Sequence, residues 1–345
     1  MPENDDRDVT QAKTHIPWWA WPHVLSLEAP VVAVLWQDVL AKVHRVSLTP
    51  GTTVGLALAV WLVYILDRWL DGQDAGTAQL DGRHAFYARH SRVIGALALP
   101  VLIVVVAWLG LYIIPVGVLW SGVALSLLIG IYLGTYAMHG RRSWVGLIGA
   151  FVGLGSVVLI LELPIGAGVK LQLALVGLLV MTFGFFRRHR TGPSGGFPKE
   201  ILGSLLFALG CSLGVQFFTM GEGFVMLTAD TMLIWGLFAM NLIGISCVEH
   251  EAGGGDAETV PVLWPRVGRA YPYLLVALIA FSIQWLSKSG SPTSTSSDFA
   301  FPVASALMLL GILWAVRRRL PPLLYRVLVD LALVMPAAWF LVTRN

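Results

Sequence analysis

Charged residues are scarce in this chain of 345 residues, where Asp, Glu, Lys and Arg together make up 12%. Soluble domains carry about 25%, so an ordinary soluble domain is excluded. Cysteine is also rare: Cys211 and Cys247 both fall within apolar stretches, and we expect no disulfide. The amino terminus lacks the basic start and short apolar core of a secretory signal.

Apolar residues, in contrast, are abundant, at 57% of the chain with a mean hydropathy of +0.75. A membrane-spanning helix needs about 20 mostly apolar residues. Windows that meet or approach this length are 24–43, 52–70, 93–112, 116–137, 144–162, 169–186, 200–219, 225–247, 271–287, 298–315 and 323–342. We therefore predict an all-α polytopic helical bundle with about 11 transmembrane helices. It forms a single transmembrane domain over 24–345 that follows a polar tail over 1–23.

The distribution of Lys and Arg predicts the orientation, because basic residues concentrate in cytoplasmic loops. With a cytoplasmic amino terminus, 18 of the 23 basic residues fall on the inner side. We therefore predict a multi-pass protein of the cytoplasmic (inner) membrane whose carboxyl terminus lies outside. Two inner loops, 71–92 and 249–270, are long and contain acidic as well as basic residues.

The second predicted span ends in YILDRWLDG, residues 64–72. Asp67 and Asp71 are four residues apart and share one helical face, and Glu249 and Asp256 belong to the second long inner loop. Mg²⁺ is typically held by one or two carboxylates together with phosphate oxygens. If the two spans are neighbours, these four acids are candidate ligands of a Mg²⁺ ion that bridges a diphosphate. The alternative is that they are only interface charges that reach for water.

Basic and amide side chains complete the candidate site. Arg68, Arg83 and Lys199 all fall on the predicted inner side, where they are candidates to neutralise the charge of a diphosphate. Asn241 precedes Glu249 by about two turns and is a further candidate catalytic residue. Three of these four residues have a plainer alternative. Arg83 would lie in a surface helix on anionic lipid, Lys199 would be a snorkelling charge, and Asn241 would form a hydrogen bond to a neighbouring helix. Arg326 and Asp330, four apart in the last span, are expected to neutralise each other.

These motifs resemble the UbiA-type superfamily of intramembrane prenyltransferases. That family's first motif, N-D-x-x-D-x-x-x-D, falls here on Val63, Tyr64, Asp67 and Asp71, and Arg68 matches its D-R-x-x-D version. The stretch 198–210 is similar to the start of the family's fifth helix. The stretch 235–256 is similar to its sixth helix and second acidic motif, with Val248 in place of Tyr. The windows within 144–186 look like an extra helix pair between the family's fourth and fifth helices.

The resemblance implies nine helices around a central cavity and a Mg²⁺-bound prenyl diphosphate at the cytoplasmic loops. It also implies transfer of the isoprenoid group to a membrane-soluble, lipophilic acceptor. We therefore expect prenyl diphosphate, acceptor and membrane lipid as partners, and no nucleic acid. The alternative is a non-catalytic lipid-binding or carrier protein on the same scaffold.

Overall fold

The computed structural model describes residues 18–74, 82–136, 143–188, 197–221, 224–254, 256–288 and 295–344. These residues form helices joined by short connections and contain no strand. The helices are α1 Trp21–Val24, α2 Glu28–His44, α3 Pro50–Asp74, α4 Gly82–Arg89, α5 Ser91–Val93, α6 Leu99–Tyr112, α7 Val116–Tyr136, α8 Ser143–Glu162, α9 Ala167–Arg188, α10 Lys199–Met220, α11 Ala229–Glu251, α12 Val260–Leu263, α13 Pro265–Lys288, α14 Thr295–Val316 and α15 Pro322–Thr343. Short 3₁₀ segments cover Trp18–Ala20 and Arg317–Arg319, and Ile94–Ala98 is a π-helical segment that joins α5 to α6.

Each predicted window corresponds to one long helix, so the prediction of an all-α polytopic bundle is confirmed. Among the described residues, eight helices are long and apolar enough to cross a membrane. A ninth is added if α1 and α2 count as one bent span. The windows over 144–186 form the antiparallel pair α8 and α9, whose described cores are also apolar.

The first span differs from its predicted window because the chain is broken near its start. Helices α1 and α2 meet at 70°, and Ser26 between them has a left-handed φ of 54°, which ends α1. The bend is fixed from outside, since Trp61 Nε1 of α3 donates a hydrogen bond of 3.0 Å to the Leu25 carbonyl. Helical structure already begins at Trp18, within the predicted tail.

The two long inner loops are shorter than predicted. Helix α3 continues to Asp74, and α4 occupies 82–89 within the first loop. In the second, α11 continues to Glu251, and α12 and the start of α13 follow. Pro265 begins α13, a position that proline favours because its missing N–H would be unpaired there.

Helix α2 lies near the centre of the bundle and packs against α3, α10 and α15. Trp36 of α2 is fully buried, and its ring meets Phe238 and Phe299 edge-on at centroid distances of 6.3 and 6.1 Å. A second apolar cluster joins α7, α9 and α10. The extra pair α8 and α9 packs on α7, so it extends the bundle at one side.

The long helices alternate in direction. One end of the bundle therefore contains the first residues of α2, α10, α13 and α15 and the last residues of α3, α7, α11 and α14. We call this the polar end. Direct contacts across it confirm the grouping, such as the hydrogen bond of 3.0 Å from Arg317 to Glu251.

Candidate functional site

The polar end of α3 carries the first acidic residue of the candidate site. Tyr64 and Asp67 are three residues apart and lie on one face of α3. The Tyr64 ring packs edge-on against Phe207 of α10, with centroids 6.3 Å apart. Tyr64 also lies within electrostatic range of Asp67 and Arg68. The face of α3 that bears Asp67 is therefore directed into the bundle.

For Asp71 and Arg83 the structure describes the helices to which they belong. Asp71 belongs to α3, one turn beyond Asp67, and Arg83 belongs to α4, which packs against α3. Their side chains lie outside the part of the chain that the structure describes. Their roles stay predictions.

Two tyrosines of α7 connect the α3 side to the start of α10. The Tyr136 hydroxyl donates to the Phe197 carbonyl at 2.9 Å, and the Tyr132 hydroxyl donates to the Lys199 carbonyl at 3.4 Å. Tyr132 lies within electrostatic range of both Asp67 and Glu200. It therefore stands between the acid of α3 and the acid of α10.

The start of α10 is held by the segment that follows α11. The Glu200 carboxylate is 3% exposed and accepts the Val260 N–H at 3.1 and 3.2 Å. The Lys199 N–H donates to the Glu258 carbonyl at 3.1 Å. No local sequence pattern indicates this role of Glu200, because its partner is 60 residues away.

The acids of the second motif lie in ion pairs. Lys199 pairs with Asp256, so the structure brings two predicted site residues together. Glu249 pairs with Arg326 of α15. Arg326 was expected to neutralise Asp330, but its guanidinium reaches across to α11 instead.

Asn241 lies inside the bundle, between α11 and α15. It is 3% exposed, and its Nδ2 donates to the Val329 carbonyl at 3.4 Å. Glu249 is eight residues further along α11, about 12 Å at 1.5 Å per residue. The position of Asn241 is that of an interhelical hydrogen bond.

The polar side chains follow one another around the polar end, some in direct contact and others only within electrostatic range. Tyr132 lies within electrostatic range of Asp67 and Glu200. Next to Glu200, Lys199 pairs with Asp256. At the end of α11, Glu249 pairs with Arg326. Asp330 of α15 and Glu28 of α2 both lie within electrostatic range of Tyr64 of α3. We call this set the polar ring: Glu28, Tyr64, Asp67, Arg68, Tyr132, Lys199, Glu200, Glu249, Asp256, Arg326 and Asp330.

An apolar wall lies beneath the ring. Tyr64, Tyr132 and Phe207 are partly exposed, and the Tyr64 ring packs against Phe207. Gly203 of α10 lies against Tyr132, since a Cβ there would lie 3.0 Å from the Tyr132 hydroxyl. Phe207 in turn meets Phe238 at 4.8 Å.

The ring offers the donors that Mg²⁺ prefers. All four predicted ligands are carboxylates, and Mg²⁺ favours such oxygens together with those of phosphate. Asp256 and Glu249 are engaged with Lys199 and Arg326. Both carboxylates would have to leave these cations before they could hold a metal ion.

A separate apolar groove lies at the other end of α11. It has a volume of about 270 Å³ and is lined by Met232, Leu233, Leu278, Phe281 and Trp285. Exposed Met232 and Phe281 place it on the outer surface of the bundle. It is not part of the polar ring.

No protein-family description matches the chain, and no curated protein matches it. Among solved structures, the chain is similar to the apo structure of a UbiA homologue from Aeropyrum pernix K1. The TM-score is 0.48 and the identity 14%, over 92% of this chain and 99% of that one.

Proposed function

We propose that the chain is a membrane prenyltransferase of the UbiA type, which moves an isoprenoid group from a prenyl diphosphate to a membrane-soluble acceptor. The observation that supports this most is the polar ring above an apolar wall. Basic side chains of the ring suit a diphosphate, and the aromatic wall suits a hydrocarbon chain. A prenyl diphosphate combines both parts in one molecule.

Three basic residues act on the leaving group. Arg68, Arg83 and Lys199 bind the diphosphate and neutralise the charge that develops as the C1–O bond breaks and its electron pair leaves with the diphosphate. The faces of Tyr64 and Phe207 stabilise the allylic cation that remains. The acceptor then forms the new bond to C1 and releases a proton.

The carboxylates hold the metal. Asp67 and Asp71 supply ligands from α3, and Glu249 and Asp256 supply them from the other side of the ring. Mg²⁺, when bound there, adds positive charge beside the diphosphate. Asn241 helps to hold Glu249 in place, because its hydrogen bond to the Val329 carbonyl joins α11 to α15.

We further propose that the polar end faces the cytoplasm, with the amino terminus inside and the carboxyl terminus outside. The distribution of Lys and Arg supports this orientation. Prenyl diphosphates are water-soluble at one end, so they reach the ring from the cytoplasm while the acceptor arrives from the lipid.

A transfer assay tests the proposal. Purified protein in lipid nanodiscs is given labelled farnesyl or geranylgeranyl diphosphate and a membrane lipid extract, and diphosphate release and prenylated lipid are measured. We expect both products from the wild type and neither from Asp67→Asn. Asp298→Asn is the matched control, because Asp298 pairs with Arg344 at the opposite end of the bundle. Equal activity of wild type and Asp67→Asn would refute the role of the ring.

One observation favours a second function, a non-catalytic carrier of prenyl lipids. Glu249, Glu251 and Asp256 all lie in ion pairs, so the acids of the second motif are neutralised within the protein. A carrier would bind the labelled prenyl diphosphate and release it unchanged. The same assay separates the two functions, because only the enzyme releases diphosphate.

A further inference from the structure

Three side chains that the sequence did not connect meet at the polar end. His23 of α1, Glu28 of α2 and Asp330 of α15 place one ligand atom each so that all three atoms lie within 4.8 Å of one another. His23 Nδ1 is 3.0 Å from Glu28 Oε1 and 3.9 Å from Asp330 Oδ2. In the part of the chain that the structure describes, this is the one group of His, Cys, Asp or Glu with three such atoms together.

The fold brings these three residues together from three different helices. The 70° break between α1 and α2 folds His23 back over Glu28. The hydrogen bond from Trp61 to the Leu25 carbonyl holds that break against α3. Asp330 arrives from α15, which packs along α2. Three helices thus fix the three ligand atoms.

The burial of the cluster is uneven in a way that suits a metal site. The His23 side chain is 6% exposed, whereas those of Glu28 and Asp330 are each 21% exposed. His23 therefore forms the floor, and the two carboxylates form an accessible rim. Two carboxylates this close repel each other unless a positive charge lies between them. A metal ion held by all three side chains would supply such a charge.

The distances fit a metal ion. Zn²⁺ binds histidine nitrogen and carboxylate oxygen at about 2.0–2.2 Å, which requires donors roughly 3–4 Å apart. The two measured separations from His23 Nδ1 fall within that range. One histidine with two carboxylates suits Zn²⁺, Mn²⁺, Fe²⁺ or Co²⁺, whereas Mg²⁺ prefers oxygen ligands alone.

We propose that His23, Glu28 and Asp330 bind a divalent transition-metal ion, separately from the Mg²⁺ of the proposed function. The site borders the polar ring, since Tyr64 lies within electrostatic range of both Glu28 and Asp330. A cation there adds positive charge to the rim where an anionic head group would bind. The proposal goes beyond prenyl transfer and stands whether or not the chain is an enzyme.

Metal analysis of the full chain tests the site. The protein is purified without a histidine tag, stripped with chelator, incubated with Zn²⁺, Mn²⁺ or Co²⁺ in excess Mg²⁺, and dialysed. We expect about one transition-metal ion per chain by mass spectrometry, and a ligand-field spectrum with Co²⁺ in which one nitrogen coordinates. His23→Gln, Glu28→Gln and Asp330→Asn should each weaken binding by more than about tenfold, since even indirect partners of metal ligands contribute 10–100-fold.

Two controls keep the outcome decisive. His44 and Asp230 form a pair with the same separation of 3.0 Å but with no third ligand among the described residues, so His44→Gln should leave the metal content unchanged. Asp67→Asn should also leave it unchanged, which separates this site from the proposed Mg²⁺ site. Glu28 is partly exposed, so Glu28→Gln serves if His23→Gln does not fold. Wild-type protein without stoichiometric metal, or triad variants that bind metal like the wild type, would overturn the proposal.

Discussion

Replacing Glu200 should release the segment that carries Asp256. The Glu200 carboxylate accepts the N–H of Val260, which is itself 0% exposed. In Glu200→Ala this N–H loses its partner inside the protein, where an unsatisfied donor costs about 1–3 kcal/mol. Glu200→Gln keeps an acceptor of the same shape and loses only the charge, so it should cost clearly less.

The effect should be local and measurable by hydrogen exchange. A loss of about 2 kcal/mol corresponds to about 30-fold faster exchange, at 1.4 kcal/mol for each factor of ten. We expect this increase in peptides that cover 256–263 in Glu200→Ala, measured in nanodiscs, and a smaller increase in Glu200→Gln. Exchange in α14 should not change, because the described hydrogen bonds of the Glu200 side chain go to Val260 and not to α14. Equal exchange of 256–263 in Glu200→Ala and wild type would refute the anchoring role.

Two further predictions concern packing and orientation. A Cβ at Gly244 would lie 2.7 Å from the hydroxyl of buried Tyr271, so Gly244→Ala should lower the unfolding free energy by about 1–3 kcal/mol. Gly122→Ala, with nothing within 4 Å of the added Cβ, should be neutral in the same thermal unfolding series, and equal melting of the two would contradict the reasoning. Reporter fusions after Arg92 and Glu258 should report the cytoplasm and a fusion at the carboxyl terminus the outside; a cytoplasmic carboxyl terminus would overturn the orientation.

The helices were predictable from sequence because they depend on local apolar content. The windows need only about 20 apolar residues in a row, and each one became a helix. The break at Ser26 was not predictable, because it depends on a left-handed residue and on a bond from Trp61. Helix α12 in the second loop was not predictable for a similar reason, because its first N–H, that of Val260, is held by the distant Glu200.

The candidate site was only partly predictable. Asp67 and Asp71 follow from a local pattern, since residues four apart share a helical face. The partners of the other charges do not follow from any local pattern. Glu249 pairs with Arg326, 77 residues away, and Lys199 pairs with Asp256, 57 residues away. Spacing along one helix suggested Arg326 with Asp330, but helix packing placed Asp330 beside His23.

The most direct test of the central claim is equilibrium binding of a labelled prenyl diphosphate to the purified chain, with Mg²⁺ and with chelator. If the polar ring binds the diphosphate through Mg²⁺, chelator should reduce the affinity at least tenfold, and Asp71→Asn should weaken binding in Mg²⁺ while the protein stays folded. Asp298→Asn, at the opposite end of the bundle, should bind like the wild type. Equal binding with and without Mg²⁺, together with unchanged binding by Asp71→Asn, would contradict the account and leave Asp67 and Asp71 as interface charges.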